Sequence, residues 1–123
     1  LNKMLLGSFY NIIESSRTEQ TFHAKASFNA AHPIFEGHFP GLPVVPGVCQ
    51  TQMLTETLSN LLGRTIEIKR AQHIKFLALL NPVKVKELLL EIKIEKETEG
   101  TMLVSAIYSA GEETFFRFKG ELH

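Results

Sequence analysis

His38 stands where a histidine can act as a base. Around it runs His32-Pro33-Ile34-Phe35-Glu36-Gly37-His38-Phe39-Pro40-Gly41-Leu42-Pro43-Val44-Val45-Pro46-Gly47-Val48. Proline fixes φ and removes a backbone donor, so this stretch excludes regular helix and central strand. It reads as a long, rigid connection, and such loops are more often functional than accidental. Helical periodicity begins at Gly47, so the loop carries His38 to the start of a helix. There the first backbone N–H groups lack intrahelical partners and the dipole end is positive. A fixed imidazole beside such donors is the minimum kit for removing a proton next to a carbonyl whose oxygen is held as charge develops. On spacing alone, a satisfied structural or surface histidine remains the competing reading.

The helix carries the other candidates. Glu56 is the only charged residue between Phe39 and Gly63. Gln52 precedes it by four positions, so the two share a face about 6 Å apart. Cys49 lies in the first turn, where a thiol pKa can fall, but no nucleophile partner stands near it in sequence and it reads as packing. His23 alternates with Phe22 and Ala24 and should point out from a strand. His73 sits in a strand before Lys75, and His32 is placed to shape the loop. No His, Cys or carboxylate spacing suits a metal, and no glycine-rich nucleotide loop follows a strand. Neither metal nor cofactor is expected.

The elements that must position these residues follow from periodicity. Phe9 to Glu14 reads as a strand, and Ser15 to Glu19 as a polar break. Gln20 to Asn29 alternates, with Phe22, Ala24, Ala26 and Phe28 on one face, so 9–29 forms a hairpin. The helix spans Gly47 to Leu62, between Pro46 and Gly63. Leu54, Leu58, Leu61 and Leu62 form its apolar stripe, opposite Cys49, Gln52, Met53, Glu56 and Asn60. Having one charge, this helix should be covered on most sides, by a sheet or a partner subunit. Strands are expected over Ile66–Leu80, Val83–Lys96, Thr101–Ser109 and Thr114–Leu122, with turns at Asn81-Pro82, Glu99-Gly100 and Ala110-Gly111. One helix among long antiparallel strands is an α+β pattern.

Bulk properties narrow the function classes. A chain of 123 residues suits a single domain over 1–123. Basic and acidic residues number 13 each, which removes the net charge that would attract nucleic acid or a membrane surface. Lys69, Arg70 and Lys75 are candidates for a local basic patch toward an acidic carrier, or ordinary surface charges. The single cysteine forms no internal disulfide. No apolar run approaches the ~20 residues that span a bilayer, no signal peptide is visible, and a cytoplasmic location is expected.

Gly37-His38-Phe39-Pro40-Gly41, then Pro43, then Pro46-Gly47-Val48, resembles the active-site signature of FabA/FabZ-type (3R)-hydroxyacyl-acyl carrier protein dehydratases. Lys75-Phe76-Leu77 is similar to the strand after the helix in that family. The resemblance implies a hotdog fold, a long central helix wrapped by an antiparallel sheet. It also implies a homodimer or higher oligomer, with a heterodimer as the alternative, and substrates carried on acyl carrier protein. It makes His38 the base at C2 and Gly47 the N–H donor to the thioester oxygen, with Pro46, Val48 and Phe39 around the substrate. The family's helix acid stands fourteen positions after the histidine, where this chain has Gln52, and Glu56 occupies the position that usually holds Gln. Glu56 would then act from one turn further on, or Gln52 would position the hydroxyl, since an amide is a poor proton donor. Otherwise the chain is half of a heteromeric dehydratase. Lys84-Val85-Lys86 replaces the family's usual Pro-Gly-Asp turn, as in a divergent branch. A hotdog thioesterase is compatible with Glu56 but not with the His-Phe-Pro-Gly loop.

Overall fold

The structure, a computed structural model, describes residues 4–36 and 41–123. Strands β1 (Tyr10–Thr18) and β2 (Thr21–Phe28) precede a 3-10 turn (Pro33–Glu36) and helix α1 (Gly47–Leu62). Strands β3 (Ile68–Phe76), β4 (Leu88–Thr98), β5 (Thr101–Ala110) and β6 (Glu113–Leu122) follow. All pair antiparallel in one sheet of order β1-β2-β4-β5-β6-β3. The helix packs on one face of that sheet, as a hotdog fold requires. Among the described residues no helix is long and apolar enough to cross a membrane.

Alternation explains the sheet. Phe22, Ala24 and Ala26 of β2 are buried, as are Leu88, Leu90, Ile92 and Ile94 of β4 and Met102, Val104, Ala106 and Tyr108 of β5. Their neighbours Lys25, Glu91 and Lys93 lie in the outward rows, and this period of two places the buried apolar side chains toward α1, while Leu89, Leu103 and Ile107 fall in the outward rows. Burying such side chains contributes about 1.5–3 kcal/mol each relative to exposure. A one-residue register slip would reverse the faces. The helix ends where Gly63 adopts φ 72 and donates to Ser59 O at 2.9 Å. Glycine takes this left-handed cap without a Cβ clash.

Several boundaries differ from expectation. Ser15 to Thr18 do not break the first strand but continue it, and the turn falls at Glu19, with φ 54. This end of an edge strand is exposed, so polar residues suffice once ladder bonds to β2 are made. The third strand is shorter than Ile66–Leu80. The fourth begins at Leu88, not Val83, because Asn81 organises a turn. Its Oδ1 accepts from Val83 N at 2.8 Å and its carbonyl from Val85 N at 2.9 Å. The buried stripe of α1 is Cys49, Gln50, Met53, Leu54, Thr57 and Leu58. Cys49 and Met53 therefore belong to the core, while Leu61 and Leu62 are only partly buried. The buried stripe departs from the purely apolar one because Gln50 and Thr57 are polar yet face the sheet.

Candidate active site

The site begins at the start of α1. Pro46 is the N-cap, with φ −61 and ψ 148, and its ring makes no side-chain capping bond. Its carbonyl accepts from Cys49 N and Gln50 N, both at 3.0 Å. The preceding loop is braced from two sides. Val45 N donates to Leu80 O at 2.8 Å, and Gln50 Nε2 donates to Val45 O at 3.0 Å. Tyr108 Oη, from β5, donates to Gln50 O at 3.0 Å. Gln50 was not singled out from sequence. The signal that would have found it is an amide inside an apolar stripe, one turn from the loop it must hold. Its own Oε1 is buried and finds no hydrogen-bond partner among the described residues.

A second contact defines the helix start. A Cβ built on Gly47 would lie 2.9 Å from Phe76 Cζ, closer than real Cβ contacts come. The tip of the ring therefore rests on the Gly47 backbone, and only glycine admits it. Phe76 leans on Phe116 with centroids 5.8 Å apart. Beyond the ring an open groove of about 610 Å³ runs along α1. Val48, Thr51, Gln52 and Thr55 form its helix wall, and Ile66, Ile74 and Phe76 lie opposite. Apolar walls interleaved with Thr51, Gln52, Thr55 and Glu67 suit an alkyl chain with a polar head.

Glu56 lies one turn beyond Gln52 and is committed elsewhere. Its Oε2 accepts from Leu5 N and its Oε1 from Leu6 N, both at 2.8 Å. Oε2 also accepts from Gln52 Nε2 at 2.7 Å. These are charge-assisted bonds at short range. Leu5 is buried, so the carboxylate fastens the N-terminal segment across the helix. Nearby, Tyr10 Oη lies 3.2 Å from Thr57 Oγ1. Burial pushes the Tyr10 phenol far above its ordinary range, the Thr57 bond opposes this, and the charge of Glu56 adds to it.

The structure thus sets Val48 and Gln52 in one groove wall, joins Gly47 to that groove through the Phe76 ring, and leaves Glu56 one turn beyond Gln52 under the N-terminal segment. His38 and Phe39 lie outside the described residues. His32 shapes the loop, its Nδ1 accepting from Ile34 N at 3.1 Å while its ring meets Phe9 edge-on at 5.3 Å. His23 points outward from β2, and its Nδ1 lies 4.0 Å from Glu91. Cys49 is buried, and desolvation pushes its thiol up to about 11. The thiolate is thus scarce at neutral pH, as expected of a packing residue.

The fold and this site place the protein among the hotdog proteins. The sequence profile of the ApeI-like family, ApeI dehydratase, matches residues 14–114. The chain belongs to that family, as a divergent member with the hotdog fold. It is 33% identical over 85 residues to the 3-hydroxyacyl-acyl-carrier-protein dehydratase FabZ of Levilactobacillus brevis, covering 63% of this chain and 56% of that one. It is 32% identical over 82 residues to the FabZ of Syntrophobacter fumaroxidans, covering 60% and 54%. Its match thus spans about half the length of these curated relatives, and less of others: 24% of the FabZ of Roseobacter denitrificans. Among solved structures, the dehydratase heterocomplex ApeI:P from Xenorhabdus doucetiae superimposes with a TM-score of 0.74 at 24% identity, covering 90% and 95% of the two chains. A phenylacetic acid degradation-related protein from Ralstonia eutropha does so with 0.61 at 12%, covering 89% and 82%. At these identities the likeness shows the fold.

Proposed function

We propose that the chain dehydrates (3R)-hydroxyacyl thioesters, delivered on acyl carrier protein, to trans-2-enoyl thioesters. The observation that carries this is the helix start: Pro46 lends it no side-chain cap, the Phe76 ring rests on Gly47, and an open groove with largely apolar walls lies beside it, with the His-Phe-Pro-Gly segment shortly before it in sequence. His38 removes the C2 proton. The Gly47 N–H, at the positive end of α1, holds the thioester oxygen as it gains charge. Pro46 shapes that end, and Val48 and Phe39 border the acyl chain. The C3–O bond then breaks, and the leaving hydroxyl takes a proton to depart as water. Gln52 contacts that hydroxyl.

A second reading concerns the source of that proton. To serve as the acid, Glu56 must carry a proton, which would face one of the three N–H groups its oxygens now accept. That geometry favours a half-site, in which a second hotdog subunit supplies the acid. The open edge of β3 and the exposed apolar side chains Val48, Ile74, Phe76 and Leu79 suit such a subunit, identical or not.

Hydration of a short trans-2-enoyl thioester, followed by absorbance, tests both readings. Wild type should be active, His38→Ala should lose at least 100-fold, and Glu56→Ala should lose less than His38→Ala. Wild type that is folded, inert alone and active only when mixed with a second hotdog subunit would establish the half-site. Inertness with carrier-protein substrates in both settings would sink the dehydratase reading.

A further inference from the structure

Gln50 holds the chain on both sides of Pro46. Its side-chain Nε2 donates to Val45 O, and its backbone N–H donates to Pro46 O, both at 3.0 Å. Those two oxygens belong to consecutive peptide planes. The second plane also carries the Gly47 N–H, which points opposite to Pro46 O across a trans peptide. The chain just before them is fixed by Val45 N, which donates to Leu80 O at 2.8 Å. The proline ring locks φ at −61, so only ψ of Pro46 can absorb a tilt between the two planes. A tilt of the Val45 carbonyl is therefore passed on to the first N–H of α1. Gln50 is itself anchored to the sheet, since Tyr108 Oη donates to its carbonyl at 3.0 Å.

Stability does not account for an amide at this position. Gln50 is 3% exposed, and its neighbours in the buried stripe are apolar apart from Thr57. Its Oε1 finds no partner among the described residues, and a buried acceptor left in that state is costly. A leucine would remove this oxygen and deprive Val45 O of its donor. One unpartnered acceptor is exchanged for another, so the fold should neither gain nor lose much. What the amide adds is a fixed direction for the Val45 carbonyl.

We propose that the Gln50 side chain is a positioning residue that aims the Gly47 N–H at the thioester oxygen, serving catalysis and not stability. This rests on the functional reading above, in which that N–H holds the oxygen, and adds the side chain that sets its direction. Gln50 acts through the backbone of Val45, Pro46 and Gly47 and needs no contact with substrate.

The test uses the full chain carrying His38→Ala, so that ligand binds without turning over. The ligand is a trans-2-enoyl pantetheine thioester, isotope-labelled at its carbonyl, and infrared difference spectra follow the carbonyl stretch. A well-aimed N–H polarises the carbonyl and lowers its stretching frequency. With Gln50 present the bound carbonyl should absorb below the free ligand. Gln50→Leu and the unbranched Gln50→Met should return it toward the free value, with melting temperatures within about 5 °C of the parent. Thr57→Val, the other polar-to-apolar change in the same stripe, should leave the lowered frequency in place. With His38 restored, the two Gln50 variants should hydrate the enoyl thioester with kcat about 10- to 100-fold lower. A lowered frequency that survives in both Gln50 variants would overturn this proposal alone. Loss of the fold in both, or an equal loss of the frequency shift in Thr57→Val, would make Gln50 merely structural and overturn it as well. No bound ligand, or an unshifted carbonyl with Gln50 intact, would overturn the functional reading and this proposal together.

Discussion

Cys49 and Val48 are adjacent, yet one faces the core and the other the groove, because a helix turns about 100° per residue. That rotation removes the thiol from chemistry. It also gives the protein an alkaline weakness whose sign follows from linkage. The unfolded thiol ionises near 9.0 and the folded one near about 11. Below pH 9 both states keep the proton, and the thiol contributes no pH dependence. Between the two values the unfolded chain releases a proton that the native state retains, so stability falls as pH rises. Tyr10 and Tyr108, both raised by burial, extend the decline to higher pH. Cys49→Ala should therefore flatten the fall in urea midpoint between pH 9 and 10. An unchanged slope would mean that the thiol ionises freely. Gln52→Glu makes a converse test at the groove. It sets a second carboxyl within reach of Glu56, and the pair will share a proton whose apparent pKa is raised. A raised acid stabilises the fold at low pH and is lost as pH rises. The variant should match wild type at pH 4 and be weaker by about 1–2 kcal/mol at pH 8. Equal stability at both would show that the carboxylates do not meet.

At the scale of elements, α1 and β3 meet where Phe76 touches Gly47. A methyl at position 47 would require the ring to move, since its nearest atom lies 2.9 Å from the Cβ position. Phe76 is half exposed, so the ring can shift at modest cost. Gly47→Ala should therefore change folding stability by no more than ~1 kcal/mol. Enoyl-thioester hydration should fall at least tenfold, because the displaced ring no longer walls the first N–H of the helix. Wild-type activity in Gly47→Ala would show that Phe76 is only a surface residue. The clasp of Leu5 and Leu6 on Glu56 belongs to the same scale. It joins segments 50 and 51 residues apart in sequence, so no local pattern announces it.

In the whole molecule, β3 is unlike its neighbours. Eight of its nine residues are exposed, whereas β4 to β6 alternate burial along at least part of their length. Its inward row, Ile74 and Phe76, faces the groove without a covering layer. An open edge beside exposed apolar side chains invites pairing with another chain. Light scattering should find a dimer or larger at micromolar concentration, and Ile74→Lys should give a monomer with unchanged far-UV circular dichroism. A wild type that is already a stable monomer would remove the basis for a site completed by a second subunit.

Much of this was legible in the residues themselves. The alternation of Phe22, Ala24 and Ala26, the pairing of Pro46 with Gly63 around one helix, and the turn at Glu99-Gly100 are local signals, and each is set by sterics within a few residues. The Pro- and Gly-rich loop and the histidine in it belong to the same class. Boundaries failed where local polarity and tertiary position disagreed. Ser15 to Thr18 look like a break but pair as an edge strand, and Gln50 is polar yet braces the loop from inside. The role of Glu56 was out of reach for the same reason. The family resemblance suggested an acid acting from one turn beyond Gln52, but its donors come from Leu5 and Leu6, and only the folded chain brings them there. Short-range sterics write the elements into the sequence. The partners of a carboxylate depend on which distant backbone arrives beside it, and tertiary packing alone decides that.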